Sequence, residues 1–544
     1  FFFFFNYIKS TKVNGVPNCG SDLYMNKVLR SSYGLPGAIV TDGGACYDPN
    51  FQDFVNRTFG RVTPPLAAAA CIGAGVDTEL GPLLVDSAAD ATLQGLLPRE
   101  AIDTAVHRLY TDLIVAGELD SVPELDSLTP LDTVDTAAHR QLAQEGAEQA
   151  FVLLQNHGDL LPLAAGMRVA LLGPHVNSTI ELLSNYAGDN TLVQSNSPLQ
   201  AFQRTPAVKV VGAEAACGLQ QDGCAQVAPD RMAAAKALAQ QADVAIVFVG
   251  LYPCGGGEAR SDGGTVRESE GRDRVSIELT PGQVQLVQEV VGVQPKTVVV
   301  LLNGGQVAIS EIKAAAPAIL EAFYPGELGG PALVNALLGN TPVAGRLTYT
   351  MYDTEYTTLR NMTDASLTGG AGTTYMYWRG GVLWPFGFGL TYTTWTLRAA
   401  AASSCALTIT TAALASDFAR YYANLEFSPS LVITVDLTNT GSRASPAVLL
   451  AFANTSAAVP ALAPHRLLLG YTRTDSVAPG ATVRVTVGLL PVHLARTAPG
   501  STAQVIHPSN LPLTVDVGDP SVPPVTCSLT VTGAPVTVWQ MPSE

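Results

Sequence analysis

Charged residues are scarce in this 544-residue chain, and basic ones are the scarcer kind. Only 14% of the residues are Asp, Glu, Lys or Arg, and 46 acidic residues against 30 basic ones give a formal net charge of −16. Nucleic-acid binding requires a basic surface that neutralises phosphates. The composition therefore argues against a nucleic-acid partner, and equally against binding to an anionic membrane surface.

Several sequence signals are also missing. No run of 18 or more apolar residues occurs, so no membrane-spanning helix is predicted. The first residues, FFFFFNYIKS, lack a basic start and a small-residue cleavage site, so they do not resemble a signal peptide. No Gly-rich phosphate-binding motif follows a strand, which disfavours a nucleotide enzyme. The eight cysteines form no C-x-x-C and the seven histidines lack ligand spacing, so neither a metal nor a cofactor is expected.

The cysteines that are present suggest disulfides. Cys217 and Cys224 flank one short loop, and Cys405 and Cys527 lie in strand-like runs near the two ends of the C-terminal region, so each pair could form a bond. Disulfides persist in oxidising compartments. Four N-x-S/T sequons support the same interpretation of a secreted glycoprotein: Asn56, Asn177, Asn361 and Asn454.

The hydrophobic pattern changes along the chain. Residues 1–116 hold strand-like pieces followed by helix-like ones, and residues 98–116 have apolar side chains at helical spacing. An acidic linker (119–135) precedes a second predicted helix at about 134–151. This first part is expected to alternate strands with helices.

The middle and the end of the chain have different patterns. Buried-type strands are predicted at four apolar runs, 169–172, 244–250, 297–302 and 318–324. Helical stretches lie between them, which is typical of a mainly parallel sheet covered on both faces. Residues 350–395 are rich in glycine and aromatics and are interpreted as a tether on the surface. From about residue 396, alternating Thr, Val and Ala predict a small antiparallel sandwich.

The first candidate for chemistry is Asp42 in GLPGAIVTDGGA (34–45). It follows a short apolar run, and in α/β folds catalytic groups lie at the carboxyl ends of strands. The glycines after it leave room for a ligand. A turn aspartate that caps its own backbone is the simpler interpretation, and the pattern alone favours it.

The second candidate is RESEGRDRVSIELTPGQ (267–283), which follows a Gly-rich loop. Glu268 or Glu270 could be a general acid if its neighbours raise its pKa. The alternative is an ion-paired surface loop in which the nearby arginines balance the acids. Without further context the loop interpretation is favoured.

These residues carry a resemblance that covers nearly the whole chain. VNGVPNCGSDLYMNKVLRSSYGLPGAIVTDGGA resembles the stretch around the nucleophile of glycoside hydrolase family 3, of the β-xylosidase/α-arabinofuranosidase type. The motifs that follow in the family's order are AGVDTELG, LLPL, VALLGPHVNST, LLSNYAG, ESEGRDRVSIELTPGQ, FYPGELGGPALVNALLGNTPVAGRL and LWPFGFGLTYT, and then VDLTNTGSRASPAVLLAF and PHRLLLGYTR, which resemble its fibronectin-III-like tail. Eight or more motifs in one order over some 500 residues make the resemblance specific.

The resemblance implies an α/β multidomain fold with a barrel, an α/β sandwich and a fibronectin-III-like β-sandwich. Applied to this sequence, it predicts five segments, which are the C-terminal part of a TIM-like (β/α)8 barrel (1–116), a linker and helix (117–150), the α/β sandwich (151–350), a wrapping linker (351–395) and the fibronectin type III-like domain (396–544). The active site would lie between the first two domains.

The resemblance also implies a mechanism. Asp42 would be the nucleophile of a retaining exo-β-glycosidase, forming a covalent glycosyl-enzyme on terminal xylose, arabinose or glucose of cell-wall-type oligosaccharides. The acid/base would come from a loop of the sandwich, with Glu268 slightly favoured over Glu270 because of its spacing to Asp273 and Arg274. Tyr7 is a further substrate-binding candidate, although Ser10 takes that place if the intervening loop is not lengthened. The expected location is the extracellular space or cell wall.

Two features depart from the family pattern. Cysteines that relatives often carry are replaced here by Gly43 and Leu80, so both partners are absent together. A complete barrel needs at least about 200 residues, whereas only 116 precede the linker and the match starts near the sixth barrel strand. The missing strands are expected to come from an upstream chain, a fragment or another subunit. A catalytically impaired homologue acting as an extracellular structural or carbohydrate-binding glycoprotein is the alternative.

Overall fold

The structure is a computed structural model. It describes residues 6–8, 12–13, 15–129, 133–188, 190, 192–253, 267–269, 274–361, 363–401, 405–424, 429–455, 464–498 and 500–542.

The N-terminal part is a small parallel sheet with helices around it. Its three strands are ordered Asn6–Ile8, Ile39–Thr41 and Thr78–Glu79, so the Ile39–Thr41 strand lies in the middle. A two-stranded hairpin pairs Lys12–Val13 with Val16–Pro17. The helices of this part are Leu23–Ser32 (a π-helix), Pro49–Phe59, Pro64–Gly73, Leu83–Leu93, Arg99–Val115, Pro123–Asp126 and Ala137–Ala150, with a 3₁₀ turn at Asn18–Gly20.

The two helices predicted in this part are present. Arg99–Val115 begins after Pro98 and ends before Gly117, and Thr136 caps the second helix by accepting a hydrogen bond from the backbone of His139. The apolar face of Arg99–Val115 remains partly open, since Val106 and Leu113 are 46% and 37% exposed. A helical apolar pattern therefore gave the correct element here, although it did not give the extent of burial.

The central part contains a six-stranded sheet, as the alternation of apolar runs and helices predicted. In spatial order its strands are Val152–Asn156, Ala318–Glu321, Thr297–Leu302, Val244–Gly250, Arg168–Leu172 and Lys209–Glu214. All neighbours pair in parallel except the edge strand Val152–Asn156, which is antiparallel. Three neighbouring strands are fully buried because helices and loops cover both faces of the sheet: Ala318–Glu321, Thr297–Leu302 and Val244–Gly250.

Helices and short elements complete the central part. The helices are Pro198–Gln203, Leu219–Asp222, Pro229–Gln241, Pro281–Val293, Ser310–Ala315 and Gly329–Leu338, with 3₁₀ turns at His157–Asp159, Ile180–Leu183 and Leu192–Ser195. A separate short parallel pair joins Tyr252–Pro253 to Arg267–Glu268. This pair brings the second candidate segment next to the carboxyl end of the Val244–Gly250 strand.

Residues 350–395 contain little regular structure, as expected. A short antiparallel pair joins Met351–Tyr352 to Val382–Trp384, and the helices Tyr356–Leu359 and Thr374–Tyr377 have one turn each. Leu383 and Trp384 are buried against the central sheet. The segment is therefore anchored by apolar side chains over the central part.

The C-terminal part packs two sheets on one apolar core. The first sheet is ordered Trp395–Ala399, Leu431–Asn439 and Thr482–Leu489, and the second Ala406–Thr410, Val525–Thr532, Ser509–Asp516, Val448–Ala453 and Leu467–Arg473. A third sheet is ordered Arg496–Thr497, Ala503–Ile506 and Val536–Gln540, and a 3₁₀ turn covers Pro491–Leu494. Alternating burial along Leu431–Asn439 matches the predicted strand pattern.

Two details of the C-terminal part were not predicted. Residues Thr411–Asn424 form a helix within a region interpreted as purely strand, with Leu414 and Phe418 buried one turn apart. The preceding strand Ala406–Thr410 pairs in parallel with Val525–Thr532, whereas an antiparallel arrangement was expected. The interpretation as strand alone was wrong here because Ala-rich text with apolar residues four apart is typical of helix.

Both predicted disulfides are present, Cys217–Cys224 and Cys405–Cys527, and a third joins Cys46 to Cys71. Cys19 is free and buried, and burial raises the pKa of its thiol to about 12. Within the described ranges, every helix is too short or too polar to cross a lipid bilayer.

Candidate active site

Asp42 lies where the sequence predicted, directly after the carboxyl end of the central strand Ile39–Thr41. The three strand residues are buried, whereas Asp42 is only half-buried. A strand with neighbours on both sides is the most rigid position in a sheet, and its carboxyl end faces the loops of a parallel sheet. The carboxylate is thus carried by a fixed backbone and remains open to solvent.

The glycines after Asp42 have a structural role of their own. The Gly43 N–H donates to Asp42 Oδ1 at 2.8 Å, and the Ala45 N–H donates to the Asp42 carbonyl at 3.1 Å. Gly44 has a φ of 72°, which favours glycine, and a Cβ at Gly43 would lie 3.0 Å from the Leu80 carbonyl oxygen. The turn that the pattern favoured is therefore present, and it orients the carboxylate of Asp42.

The start of the Asp42 strand is fixed by the buried carboxylate of Asp77. Asp77 Oδ2 accepts from the Ile39 N–H at 2.8 Å and pairs with the Arg30 guanidinium, while Oδ1 accepts from Arg108 Nη1 at 3.1 Å. The Asp77 side chain is 1% exposed. A buried carboxylate needs this many donors to offset its lost hydration, so the strand position depends on an ionic network.

The loop that follows Asp42 is fixed by Glu79 and by a disulfide. The Glu79 carboxylate accepts from the backbone N–H groups of Cys46 and Leu84, both at 3.3 Å. Cys46 is bonded to Cys71 in the helix Pro64–Gly73. Sequence reasoning missed this bond, although the position of Cys46 four residues after Asp42 was a signal. The loop thus has two independent attachments.

Glu268 lies in a cradle of hydrogen-bond donors. Its Oε1 accepts from the backbone N–H of Gly304 at 2.7 Å and from the Tyr324 hydroxyl at 2.6 Å, and its Oε2 accepts from the Gly305 N–H at 2.8 Å. The Arg274 Nε lies 3.9 Å from Oε2. Three hydrogen-bond donors and a nearby guanidinium therefore fix the position of this carboxylate.

The two glycines of this cradle are required by its dimensions. A Cβ at Gly305 would lie 2.4 Å from Glu268 Oε2, and one at Gly304 would lie 3.0 Å from Oε1. Burial and the negative charge of Glu268 raise the pKa of Tyr324, so its hydroxyl stays protonated and can donate. Sequence reasoning missed these partners. The Gly-Gly pair directly after a buried strand was an available signal for close approach.

A second carboxyl group, Glu321, lies at the same edge of the sheet. It ends the strand Ala318–Glu321, is fully buried, and accepts from the Phe323 N–H at 3.0 Å and from Asn303 Nδ2 at 3.4 Å. Burial raises its pKa to about 8. Phe323 has a φ of 55°, a strained value for a bulky residue. The carboxyl edge of the central sheet therefore holds two carboxyl groups, and burial raises the pKa of one of them, Glu321.

The other residues predicted for the site are described less fully. Glu270, Asp273 and Ser10 lie outside the described residues. The backbone of Tyr7 lies in the strand Asn6–Ile8, in register with Val40 of the Asp42 strand. In the part of the chain that the structure describes, no group of three or more His, Cys, Asp or Glu side chains could hold a metal ion.

Comparisons with known proteins show what the chain is similar to. The model of the glycosyl hydrolase family 3 C-terminal domain matches residues 151–392. A probable exo-1,4-beta-xylosidase of Aspergillus fumigatus is 33% identical over 539 residues, which cover 96% of this chain and 64% of that protein. An exo-1,4-beta-xylosidase of Emericella nidulans is 34% identical over 522 residues, which cover 93% of this chain and 63% of the relative.

Two solved structures have a similar fold. An exo-beta-xylosidase in complex with a xylobiose aziridine activity-based probe superposes with a TM-score of 0.83 at 27% identity, covering 98% of this chain and 66% of that one. A beta-glucosidase from Listeria innocua in complex with glucose superposes with a TM-score of 0.75 at 19% identity, covering 96% of this chain and 67% of that one. The chain thus has a multidomain α/β fold, and it spans about 64% of the length of the curated relatives it matches.

Proposed function

We propose that this chain acts as a retaining exo-β-glycosidase that releases single sugars from the ends of cell-wall-type oligosaccharides. The observation that carries the proposal is the 33% identity to an exo-1,4-beta-xylosidase over 96% of the chain. The position of Asp42 supports it, because a half-buried carboxylate on a rigid strand end can approach a substrate without moving.

Asp42 is assigned the role of nucleophile. Its carboxylate attacks the anomeric carbon of the terminal sugar, and the bond to the leaving oxygen breaks as that oxygen takes a proton from a second carboxyl group. Water then attacks the glycosyl-enzyme ester, gives its proton to the same group, and releases the sugar with its configuration retained. The Gly43 N–H holds Asp42 Oδ1 during both steps.

The second carboxyl group is assigned to the segment that holds Glu268 and Glu270. A general acid must present a proton to the leaving oxygen, whereas both carboxylate oxygens of Glu268 are already held by hydrogen bonds from the protein. Its environment therefore suits an anchor better than an acid. We assign the acid/base role to Glu270, which follows two residues later, and keep Glu268 as the residue that positions this segment.

Xylose is the leading candidate for the sugar released, and arabinose and glucose are the others. The curated relatives bear the name exo-1,4-beta-xylosidase, and a solved structure of similar fold holds a xylobiose-derived probe. An oligosaccharide is therefore the proposed partner. The alternative of a non-catalytic glycoprotein is not favoured, since these relatives are named as enzymes.

The finer architecture and the location are proposed in the same way. The three parallel strands among helices support the C-terminal part of a (β/α)8 barrel in residues 1–116, and residues 117–150 form the linker and helix. Residues 151–350 form the α/β sandwich, 351–395 the wrapping linker and 396–544 the fibronectin type III-like domain. Three disulfides support an extracellular location.

The test is hydrolysis of a nitrophenyl β-xyloside by three variants. Asp42→Asn should abolish release of xylose, and Glu270→Gln should reduce it by about 10²–10⁴-fold. Added azide should restore turnover in Glu270→Ala and yield the β-glycosyl azide, because the nitrophenyl leaving group still allows the glycosyl-enzyme to form and the azide anion needs no general base to attack it. Full activity in Asp42→Asn would remove Asp42 from the mechanism.

The same assay separates an acid from an anchor. If Glu270 is the acid, its loss should change kcat/KM little for a dinitrophenyl glycoside, because that leaving group needs no proton. The same loss should lower kcat/KM strongly for xylobiose, whose leaving group does need one. Glu268→Gln should lower the rates on both substrates by the same factor, because it displaces the whole segment. Azide rescue in Glu268→Ala and none in Glu270→Ala would reverse the assignment.

A further inference from the structure

A cleft whose lining includes none of the carboxylates of the candidate site lies between the N-terminal and C-terminal parts of the chain. It has a volume of about 460 Å³ and is lined by residues from three separate parts of the chain. These are the end of the helix Leu23–Ser32 with Tyr33, the helix Thr411–Asn424, and the sheet that contains Val536–Gln540. Ligand sites in proteins have volumes of about 300–1,000 Å³, so the cleft has room for one or two sugar rings.

Aromatic rings dominate the cleft, and two of them are unusually open to solvent. Tyr33 and Tyr422 are 53% and 45% exposed. The Tyr33 ring centroid lies 6.2 Å from that of Trp539, and the Phe418 and Tyr422 centroids lie 4.4 Å apart. Exposing large aromatic rings to water is unfavourable, so a cluster of exposed rings is typical of a surface that a ligand or partner covers.

Trp539 adds an unmet polar requirement. Its indole Nε1 is buried and has no hydrogen-bond partner among the residues that the structure describes. A buried indole N–H usually finds an acceptor, and leaving it without one costs about 1–3 kcal/mol. The indole ring itself is only partly buried and lines the cleft. A ligand that occupies the cleft can supply the missing acceptor.

The polar groups of the cleft are neutral. Ser31, the Gln504 amide, the two tyrosine hydroxyls and the Trp539 indole contribute polarity, and none of the described lining residues carries a charge. The chain as a whole carries a formal charge of −16. Both facts disfavour an anionic ligand. A carboxylate or phosphate would find no cation in the lining, and the negative charge of the chain would repel it.

A neutral sugar chain matches this combination. Each pyranose ring presents a face of C–H groups that stacks on an aromatic ring, and equatorial hydroxyls around its edge that accept from N–H and O–H donors. An apolar ligand would cover the rings and leave Trp539 Nε1 without an acceptor. A peptide would expose its own backbone groups to a lining with few partners.

The cleft does not include Asp42. Tyr33 and Gly34 line the cleft, and the chain then runs through Leu35–Ala38 into the strand Ile39–Thr41, which Asp42 follows. Asp42 is not among the lining residues, so the cleft is treated as separate from the candidate active site. The cleft could hold a polysaccharide while the candidate active site works on another chain end.

We propose that the cleft of Tyr33, Phe418, Tyr422 and Trp539 is a non-catalytic binding site for a neutral β-linked polysaccharide. The choice of a saccharide rests on the proposed function, whereas the geometry of the cleft does not. Such a site raises the local concentration of chain ends around the enzyme.

The experiment is a depletion assay with insoluble xylan, using the full chain with Asp42→Asn so that the polymer is not consumed. Adding Trp539→Ala should weaken binding to xylan by about tenfold or more, because one stacking ring and one donor are lost. Trp539→Phe keeps an aromatic ring but lacks the N–H donor, so its affinity for xylan should lie between that of the parent and that of Trp539→Ala. The matched control is Tyr471→Ala, an exposed tyrosine outside the cleft, which should bind as the parent does.

A soluble substrate distinguishes the two proposals. In the otherwise unchanged chain, Trp539→Ala should leave kcat/KM for nitrophenyl β-xyloside unaltered. If xylan binding depends on Trp539 but the unchanged chain does not hydrolyse nitrophenyl β-xyloside, the proposed function is overturned and the cleft proposal stands. Parent and Trp539→Ala chains that bind xylan equally, with the same melting temperature, would overturn the cleft proposal. A change of oligomeric state in Trp539→Ala would overturn it as well, since the cleft would then be an interface.

Discussion

The Tyr324 hydroxyl donates to Glu268 Oε1 at 2.6 Å, although the two residues lie 56 positions apart in the chain. This bond ties the segment around Glu268 to the carboxyl edge of the central sheet, where Tyr324 follows the strand Ala318–Glu321. The segment that would carry the proton donor is thus positioned by the rigid core beneath it. Positioning of this kind can account for much of an enzyme's rate.

Gly305→Ala tests this attachment directly. The new Cβ would lie 2.4 Å from Glu268 Oε2 and would displace the carboxylate, so we expect kcat/KM on a nitrophenyl β-xyloside to fall about tenfold or more. Gly292→Ala is the matched control, because nothing lies within 4 Å of its Cβ and it is in the helix Pro281–Val293. Equal activity in the two variants would show that the cradle does not position the site.

Asp77→Asn is expected to destabilise the chain strongly. The substitution leaves the Arg30 and Arg108 guanidinium groups facing a neutral amide, at a carboxylate that is 1% exposed. Breaking a buried ionic network costs about 3–5 kcal/mol of the free energy of unfolding. The measurement is the urea midpoint followed by circular dichroism.

Asp53→Asn is the control for this prediction. Asp53 also pairs with two cations, Lys12 and Arg57, but its side chain is 51% exposed. An exposed ion pair contributes little to stability, so the midpoint should hardly change. A midpoint shift for Asp77→Asn as small as that for Asp53→Asn would contradict the role given to the buried network.

Glu321 should make the stability of the chain depend on pH. Burial raises the pKa of Glu321 from 4.5 to about 8, so the folded chain retains a proton that the unfolded chain has lost. Its contribution to stability is full below pH 4.5 and is lost as the pH rises through about 8. Glu321→Gln, which stays neutral, should flatten this decline in urea midpoints measured between pH 4.5 and 8.

The exposed Glu311 serves as the reference for this pH profile. Glu311→Gln removes one carboxyl group from the surface and leaves Glu321 in place, so it should keep the decline of the parent chain. An unchanged slope in Glu321→Gln would indicate that Glu321 is ionised in the folded chain.

Glycan occupancy is expected at the four sequons after secretion from a eukaryotic host. The side chains of Asn56, Asn177, Asn361 and Asn454 are all exposed, so each can carry a bulky glycan without disturbing the core. Intact mass should fall in discrete steps as single Asn→Gln variants are introduced. A mass equal to that of the bare polypeptide would refute the assignment as a glycoprotein.

Much of the fold could be predicted from hydrophobic periodicity. The runs 244–250 and 297–302 form strands with those same bounds, because a strand buried on both faces must be apolar at every position. The helix Thr411–Asn424 was missed because the strand patterns on either side were extended across it. Local pattern alone did not separate Ala-rich helix from Thr- and Val-rich strand.

The candidate site was also predicted only in part from the sequence. The position of Asp42 at a strand end follows from the apolar run before it, and the structure adds the glycine turn that orients it. The surroundings of Glu268 could not be predicted, because Gly304, Gly305 and Tyr324 lie 36 to 56 residues away. Their hydrogen bonds changed our preference for the proton donor from Glu268 to Glu270.

The sequence by itself determined which carboxylates were worth considering and which strands carry them, since periodicity and motif order are local properties of the chain. Only the tertiary structure decided how Glu268 is held, how Asp77 fixes the Asp42 strand, and that Tyr33, Tyr422 and Trp539 share a cleft. The physical reason is that charge stabilisation and ring packing act over a few ångströms in space, between residues that folding alone brings together.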